Sequence, residues 1–135
     1  MCGIAGYFHS TPSSITDRHV VQMVQAINKR GPDGSGTWTD DAQIVLGHAR
    51  LAIQDLSPAG HQPMESANGR YVIAFNGEIY NHQTLRKSLE SQFEAPAWRG
   101  RSDTETLLAC FNSWGVEKKL QATVGMFDIG LWDRV

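Results

Sequence analysis

Cysteine is scarce in this sequence, and neither sign of charge is in large excess. Only two cysteines occur among 135 residues, Cys2 and Cys110, which excludes a disulfide framework and is typical of a reducing compartment. Twelve basic residues face fourteen acidic ones, so the formal charge of −2 indicates neither nucleic acid nor an anionic membrane as a partner. No apolar run approaches the roughly 18 residues of a membrane span, and the start lacks a signal-peptide pattern. We therefore expect a cytoplasmic protein.

The composition that is present indicates one folded domain. Hydrophobic residues make up 41% of the chain and charged residues 19%, which is an ordinary globular mixture. A chain of this length can bury about 68% of its unfolded surface, so we predict a single domain over residues 1–135. The sequence stops directly after a predicted strand at Asp133–Val135. Because that would leave a sheet edge uncovered, we expect the domain to be truncated at its C-terminus.

Hydrophobic periodicity predicts alternating strands and helices. Strands are predicted at residues 3–9, 43–48, 50–55, 71–76 and 125–133. Helices are predicted from Thr16 to the stop signal Gly31-Pro32, at 81–90, from the capping box at 102–105 to Trp114, and at 116–122. Loops are predicted at 30–36 and 57–64. The strand at 71–76 is continuously apolar, so we expect it to be covered on both faces.

Cys2 lies one residue from the start of the chain, next to a predicted buried strand. A thiolate is a strong nucleophile, but a free thiol has an ordinary pKa near 8.5 and needs a base at neutral pH. An N-terminal α-amine, with a pKa of about 7.7–8.0, can accept that proton. Removal of Met1 would give Cys2 both groups. The alternative, a second-position cysteine without a role, stays open on this residue alone.

Four further residues carry groups that a nucleophilic site needs. Asn76 and Gly77 follow the apolar strand and could offer two N–H donors to an oxyanion. The alternative for this pair is a hairpin turn, although the residues that follow have a helical pattern. Arg50 suits a carboxylate and Asp103 suits an ammonium, with a surface charge and a helix N-terminus as the respective alternatives. The five histidines lack metal-ligand spacing, so no metal site is expected.

Five sequence blocks occur in an order that resembles a known family. They are MCGIAGYF, RGPDGSG, HARLAIQDLSPAGHQPM, NGEIYNH and GRSDTETLL, and they span nearly the whole chain. Together they resemble the glutaminase domain of class II (N-terminal nucleophile) glutamine amidotransferases. NGEIYNH and LSPAGHQPM are most similar to glutamine-hydrolysing asparagine synthetases and their relatives in polysaccharide gene clusters. The resemblance implies an α+β fold, the four-layer α-β-β-α sandwich of N-terminal-nucleophile hydrolases.

The resemblance also implies a role for each matching position. Cys2 matches the nucleophile, its α-amine matches the base once Met1 is removed, and Asn76 with Gly77 matches the oxyanion hole. The remaining matches contact glutamine: Arg50 at the α-carboxylate, Asp103 and Glu78 at the α-amino end, and backbone around Leu51 and Ile53 at the pocket wall. No metal and no cofactor is implied in this domain.

The implied reaction is hydrolysis of the glutamine side-chain amide to glutamate and ammonia through a Cys2 thioester. In the family, the ammonia reaches a synthetase domain of the same parent chain, which uses ATP and Mg and lies outside this sequence. The final acceptor, whether aspartate or a sugar or other carboxylate, is left open, as is a homodimer. The alternative function is a truncated or degenerate, non-catalytic module for glutamine binding or assembly.

The last predicted strand departs from the family pattern. Strand alternation places Met126, Asp128, Gly130 and Trp132 on one face, where relatives usually carry small apolar residues at the Asp128 and Gly130 positions. A carboxylate on a buried face costs free energy unless it is paired. If this face is buried and Asp128 is unpaired, the local packing around it would be disturbed.

Overall fold

The chain folds into two antiparallel sheets and flanking helices. The computed structural model describes residues 1–11, 14–40 and 43–135. The strands are β1 (Gly3–Phe8), β2 (Gly34–Asp40), β3 (Ile44–Arg50), β4 (Met64–Glu65), β5 (Tyr71–Ile79) and β6 (Gly125–Asp133). The helices are α1 (Asp17–Ala26), α2 (His82–Ser91), α3 (Asp103–Trp114) and α4 (Val116–Ala122), with short 3₁₀ turns at Asn28–Arg30 and Pro58–Gly60. The predicted α+β class is confirmed.

The first sheet has the order β1-β3-β2, with β3 in the centre. The register pairs Gly3 with Ala49, so the residue before β1 lies beside the residues that follow β3. Helix α1 covers the outer face, where Val20 and Val24 pack against Val45 and Ala49. This packing follows from the helical spacing of Val20 and Val24, which puts both side chains on one face.

The second sheet has the order β4-β5-β6, with β5 in the centre. The strand at 71–76 is buried throughout, as its continuous apolar run predicts. One face of β5 packs against α2 and α3 in the main core of the molecule. That core includes Tyr71, Ile73, Phe75, Ile79, Leu85, Leu89, Leu107, Leu108 and Phe111. Cys110 is buried in this core, and burial raises its pKa to about 11.

The two sheets pack face to face, which gives the layer order helix, sheet, sheet, helices. Ile44 and Leu46 of β3 contact Val72 of β5 in a small apolar cluster between the sheets. His48 lies in the same layer, fully buried, and its Nε2 is 2.9 Å from the carbonyl oxygen of Phe75. Because that oxygen can only accept, Nε2 is the protonated nitrogen and a direct hydrogen bond joins β3 to β5.

The structure corrects three of the predicted boundaries. Residues 34–36, predicted as part of a loop, begin strand β2, whose small and polar side chains are alternately half-buried and exposed. Residues 51–55, predicted as strand, are an irregular segment after β3. Strand β5 continues to Ile79, so Gly77 and Glu78 lie inside the strand rather than after it. The remaining helices and β6 lie within a few residues of their predicted positions.

None of the helices in the described parts of the chain has the length and apolar character needed to cross a membrane.

Candidate active site

One cavity brings together every residue that the sequence predicts for the site. It has a volume of about 190 Å³ and lies where the start of β1, the segment after β3, the end of β5 and the start of α3 meet. The predicted residues that line it are Cys2, Arg50, Leu51, Ile53, Asn76, Gly77, Glu78 and Asp103. Sheet pairing explains the assembly, because the β1–β3 register places Cys2 next to Arg50 and Leu51.

The thiol of Cys2 is held against the segment after β3. The backbone N–H of Leu51 donates a hydrogen bond to Sγ at 3.3 Å, and the carbonyl oxygen of Leu51 is 3.6 Å from the same sulfur. The carbonyl oxygen of Cys2 accepts a hydrogen bond from Nε of Arg30 at 3.0 Å. Arg30 lies in the RGPDGSG block, but the sequence alone indicates no role for it. Arg30 and Leu51 together fix the position of Cys2.

The cavity wall at residues 51–53 is held in place by Asp33, for which the sequence alone indicates no role. Asp33 accepts a hydrogen bond from the N–H of Ala52 through Oδ2 at 2.8 Å, and its own N–H donates to the carbonyl oxygen of Arg50 at 2.9 Å. These two bonds hold the irregular segment beside the end of β3. The side chain of Ile53 is 73% exposed, so this residue forms the rim of the cavity rather than its floor.

Strand β5 directs three backbone N–H groups toward the edge that faces away from β6. Phe75 donates to Oε1 of Gln62 at 2.6 Å, and Ile79 donates to Oδ2 of Asp103 at 3.0 Å. Gly77 lies midway between them, and its pairing with Phe127 continues an unbroken register. Because N–H directions alternate along a strand, the N–H of Gly77 points to the same edge, which borders the cavity.

Glycine is the only residue type that fits at position 77. Its φ is +144°, which side chains with a Cβ rarely adopt. A Cβ at Gly77 would also overlap the carbonyl oxygen of Met126 on the neighbouring strand. Glycine therefore allows β6 to pair closely with β5 at the level of the cavity.

The side chain of Asn76 is buried, and its hydrogen bonding is incomplete. Nδ2 donates to Oδ2 of Asp128 across the strand pair at 3.4 Å, whereas Oδ1 has no partner among the described residues. Asp128 itself is exposed to solvent. Asp128 is neither buried nor unpaired, so the disturbance that a buried, unpaired carboxylate would cause does not arise.

The guanidinium of Arg50 is oriented by the loop that follows it. Nη2 donates to the carbonyl oxygen of Asp55 and to that of Ser57, the latter at 3.1 Å. Its Nε and Nη1 make no hydrogen bond within the described residues. Gly60 packs against this group so closely that a Cβ there would overlap Nη2. Arg50 is thus fixed through one nitrogen and retains donors for a carboxylate on the cavity side.

Two carboxylates also line the cavity, Asp103 and Glu78. Asp103 is 5% exposed, and burial raises the pKa of its carboxyl group, an effect opposed by hydrogen bonds from the N–H groups of Ile79 and Thr104. Glu78 is exposed, and the described part of the chain provides no ion-pair partner for it. Negative charge at Asp103 and Glu78 would favour a cationic group between them.

The groups that line the cavity determine which kind of molecule it can bind and attack. The cavity combines a thiol, two donors on β5, one arginine and two carboxylates. Such a set can hold a molecule that carries both a carboxylate and an ammonium group, and it can present a third group of that molecule to the sulfur. The donors on β5 can then stabilise negative charge on an oxygen of the attacked group.

Comparison with known proteins gives one family and a consistent set of relatives. The family model described as "Glutamine amidotransferase domain" matches residues 1–135. The chain is 35% identical over 139 residues to asparagine synthetase [glutamine-hydrolyzing] 3 of Bacillus subtilis (strain 168), covering 98% of this chain and 21% of that protein. It is 36% identical over 134 residues to asparagine synthetase B [glutamine-hydrolyzing] of Escherichia coli (strain K12), covering 98% and 23%.

A Mycobacterium tuberculosis (strain ATCC 25618 / H37Rv) protein, which carries the name asparagine synthetase [glutamine-hydrolyzing] provisionally, is 39% identical over 150 residues. That match covers 100% of this chain and 22% of the mycobacterial protein. The chain therefore spans about a fifth of the length of these relatives.

Proposed function

Because the chain belongs to the glutamine amidotransferase domain family, we propose that its cavity hydrolyses the side-chain amide of glutamine with Cys2 as the nucleophile. One observation carries the proposal. The thiol of Cys2, the two donors of Asn76 and Gly77, and the charged residues Arg50 and Asp103 all line a single cavity. Composition alone would not require these groups to meet.

Glutamine would bind through the charges on its α-carbon. Arg50 offers Nε and Nη1 to the α-carboxylate, and a planar guanidinium can bind such a group through two parallel hydrogen bonds. Asp103 and Glu78 would bind the α-ammonium. Leu51 and Ile53 line the same cavity, and the N–H of Leu51 contacts the sulfur, so the side-chain amide would be directed toward Cys2.

The chemistry would then proceed in two stages. The sulfur attacks the amide carbon while the α-amine of Cys2 takes the thiol proton, and the carbonyl oxygen becomes an oxyanion held by Asn76 and Gly77. Collapse of this intermediate transfers the proton to the leaving nitrogen and releases ammonia, leaving a glutamyl thioester on Cys2. Water attacks the thioester with the same amine as base, and glutamate leaves.

This mechanism requires that Met1 be removed. Met1 precedes Cys2 in the structure, is 62% exposed and lines the cavity, so the nitrogen of Cys2 is part of a peptide bond. A peptide nitrogen is not basic and cannot take the thiol proton. The exposure of Met1 makes it accessible to an aminopeptidase.

The proposal extends to the wider context of the domain. The layer order of helix, sheet, sheet and helices supports the N-terminal-nucleophile hydrolase sandwich. Relatives named asparagine synthetase are about five times longer, which supports a synthetase domain in the same parent chain that uses ATP and Mg and receives the ammonia. Cytoplasmic location and a homodimer belong to the same proposal. The acceptor of the ammonia is proposed to be a carboxylate, as in aspartate.

The test compares Cys2→Ala with Cys110→Ala in protein whose intact mass shows that Met1 is absent. Cys2→Ala is expected to abolish the release of glutamate from glutamine and to leave the fold unchanged by circular dichroism. Cys110→Ala is the matched control and should retain activity, because burial raises the pKa of that thiol to about 11 and leaves it unreactive. Continued glutamate release by Cys2→Ala would contradict the proposal.

Glutamine binding measured beside glutamate release distinguishes the proposed enzyme from the non-catalytic alternative. A glutamine-binding or assembly module would bind glutamine and release no glutamate even when Met1 is absent and Cys2 is intact. Calorimetric titration of the processed protein with glutamine, run beside the glutamate assay, therefore distinguishes an enzyme from a binding module.

A further inference from the structure

Asp55, a loop residue that lines the cavity, accepts three hydrogen bonds through its carboxylate. Its carboxylate accepts from the N–H of Ser57 at 2.8 Å and from the hydroxyl of Ser57 at 2.6 Å through Oδ1. Through Oδ2 it accepts from the N–H of Arg101 at 2.8 Å. Two of these donors are backbone N–H groups, and the third is the Ser57 hydroxyl. The carboxylate therefore holds two separate segments, the turn at 55–57 and the backbone at Arg101, in a fixed relative position.

The first of these segments orients Arg50. The bonds within 55–57 close a tight turn, and this turn aims the carbonyl oxygens of Asp55 and Ser57 at Nη2 of Arg50. The guanidinium is thereby fixed at one nitrogen. If the turn loosened, these two acceptors would separate and the arginine would rotate freely about its long side chain.

The second segment leads directly into helix α3. Arg101 precedes Ser102, which caps the helix by accepting from the N–H of Glu105 at 3.2 Å, and Asp103 is the first helical residue. Gly100 packs against Asp55 so closely that a Cβ at Gly100 would overlap Oδ2. The neighbouring Gln54 reinforces this contact, since its Oε1 accepts from the N–H of Asp103 at 3.3 Å.

We propose that Asp55 is a positioning residue that sets the distance between Arg50 and Asp103, and that it thereby determines the selectivity of the site for an α-amino acid head group. The proposal rests on the proposed function, in which these two side chains bind the α-carboxylate and the α-ammonium. Asp55 acts through them and does not contact the reacting atoms. The hydrogen bonds from Ser57 and Arg101 also lower the pKa of its carboxyl group, which keeps it ionised.

An amide cannot replace this carboxylate. In the Asp55→Asn variant the side chain would have one acceptor oxygen, and its NH₂ group would face either the N–H of Arg101 or the two donors of Ser57. Two donors that face each other repel, so one of the two segments would move. Loss of a charge-assisted hydrogen bond of this kind typically costs about 1.5–3 kcal/mol.

The test uses Asp55→Asn and two reagents that alkylate the Cys2 thiol. Iodoacetamide carries no α-groups, whereas a glutamine analogue with a diazoketone in place of the amide carries both. We expect KM for glutamine to rise roughly 10–100-fold, the equivalent of that cost, with kcat within about threefold of the wild type. Inactivation by the diazoketone should slow by a similar factor, and alkylation by iodoacetamide should proceed at the wild-type rate.

Two further variants make the result specific. Asp17→Asn, at an exposed position of helix α1, changes the same charge away from the cavity and should leave all rates unchanged. Ser57→Ala removes one of the three donors to Asp55 and keeps its carboxylate, so it should raise KM by a smaller factor. This variant also tests the proposal if Asp55→Asn fails to fold.

The outcomes separate this proposal from the one on which it rests. If wild type hydrolyses glutamine and reacts with the diazoketone, but Asp55→Asn and Ser57→Ala keep wild-type KM values, Asp55 is not a positioning residue. Equal slowing of both reagents in Asp55→Asn would also overturn the proposal, because it would show general damage to the site. If processed wild type neither hydrolyses glutamine nor reacts with the diazoketone, the proposed function itself is wrong.

Discussion

At the scale of single residues, Asn76 stands out because it is buried with one of its polar atoms unpaired. Its Oδ1 has no partner among the described residues, and its Nδ2 makes only a long hydrogen bond to Asp128. Leaving a buried polar atom unpaired typically costs about 1–3 kcal/mol. Such a cost at a cavity wall is consistent with a side chain retained for its second N–H group, which remains available to an oxyanion.

Asn76→Ala should therefore separate activity from stability. Removal of one oxyanion donor is expected to reduce kcat by about 10²–10³-fold. KM should change little, because the negative charge develops only in the transition state. The free energy of unfolding should stay within about 1 kcal/mol of the wild type, since the unpaired oxygen is lost with the donor.

Steady-state kinetics and urea denaturation of the same preparation check this prediction. Asn68→Ala, in the turn before β5, is the matched control and should retain wild-type kinetics. A large rise in KM with unchanged kcat would assign Asn76 to substrate binding instead.

At the scale of secondary-structure elements, strand β5 provides both the core of the second sheet and part of the cavity. Its first residues are buried between helices and the other sheet, whereas Gly77 and Glu78 are exposed at the cavity. The continued pairing with β6 keeps the N–H groups of this exposed end in a fixed direction. The site thus takes its rigidity from a strand rather than from a loop.

Gly77→Ala should damage this element more than an equivalent change elsewhere. The new Cβ would meet the carbonyl oxygen of Met126 at a φ of +144°, so we expect a loss of about 1–3 kcal/mol of stability together with loss of glutamine hydrolysis. Gly69→Ala is the control for the cost of a positive φ without a steric overlap. Gly69 also has a positive φ, +74°, but nothing lies within 4 Å of its Cβ position.

Chemical denaturation of both variants checks the difference. Gly69→Ala should lose about 1 kcal/mol, the cost of the backbone conformation, and should keep its activity. Equal losses in the two variants would show that the contact with Met126 has no effect.

The elements also show which parts of the fold the sequence could predict. Helices α2 and α3 and strand β5 have apolar residues at regular spacing, so local pattern is sufficient to find them. Strand β2 contains two glycines and few apolar residues, and it forms because β3 provides its partner. Residues 51–55 alternate Leu51 and Ile53 like a strand, but Asp33 and Asp55 hold this segment in an irregular path.

The site could be predicted in part for a related reason. Cys2, Arg50, Asn76 and Asp103 have reactive, charged or hydrogen-bonding side chains within recognisable sequence blocks. Arg30, Asp33 and Asp55 act through hydrogen bonds to backbone groups, and several of these groups are distant along the chain. The identity of such partners depends on the fold, so local pattern does not indicate them.

At the scale of the whole molecule, His48 joins the two sheets at their buried interface. The pKa of His48 is lowered from 6.5 to about 4, and burial is the main cause. The hydrogen bond to the Phe75 carbonyl acts in the opposite direction and raises this pKa. The folded protein therefore holds His48 neutral at pH values where the unfolded chain binds a proton. The stability contributed by neutral His48 is complete above about pH 6.5 and is lost as the pH falls toward 4.

The loss from this single group should reach about 3 kcal/mol at pH 4, given the difference between its two pKa values. The measurement is the free energy of unfolding by urea at several pH values between 4 and 7. His48→Gln is the matched variant, because an amide N–H can still donate to Phe75 and does not titrate. Its pH dependence over this range should be shallower, and an unchanged slope would exclude His48 as the cause.

Strand β6 also affects how readily the protein associates with itself in solution. Its outer edge carries unpaired main-chain groups beside exposed apolar side chains such as Met126, in the part of the chain that the structure describes. Open edges of this kind favour self-association into extended aggregates at high concentration. Asp128 places an exposed negative charge in the middle of that edge, where neighbouring copies would bring like charges together. Asp128 is thus expected to oppose self-association of the described chain through this edge.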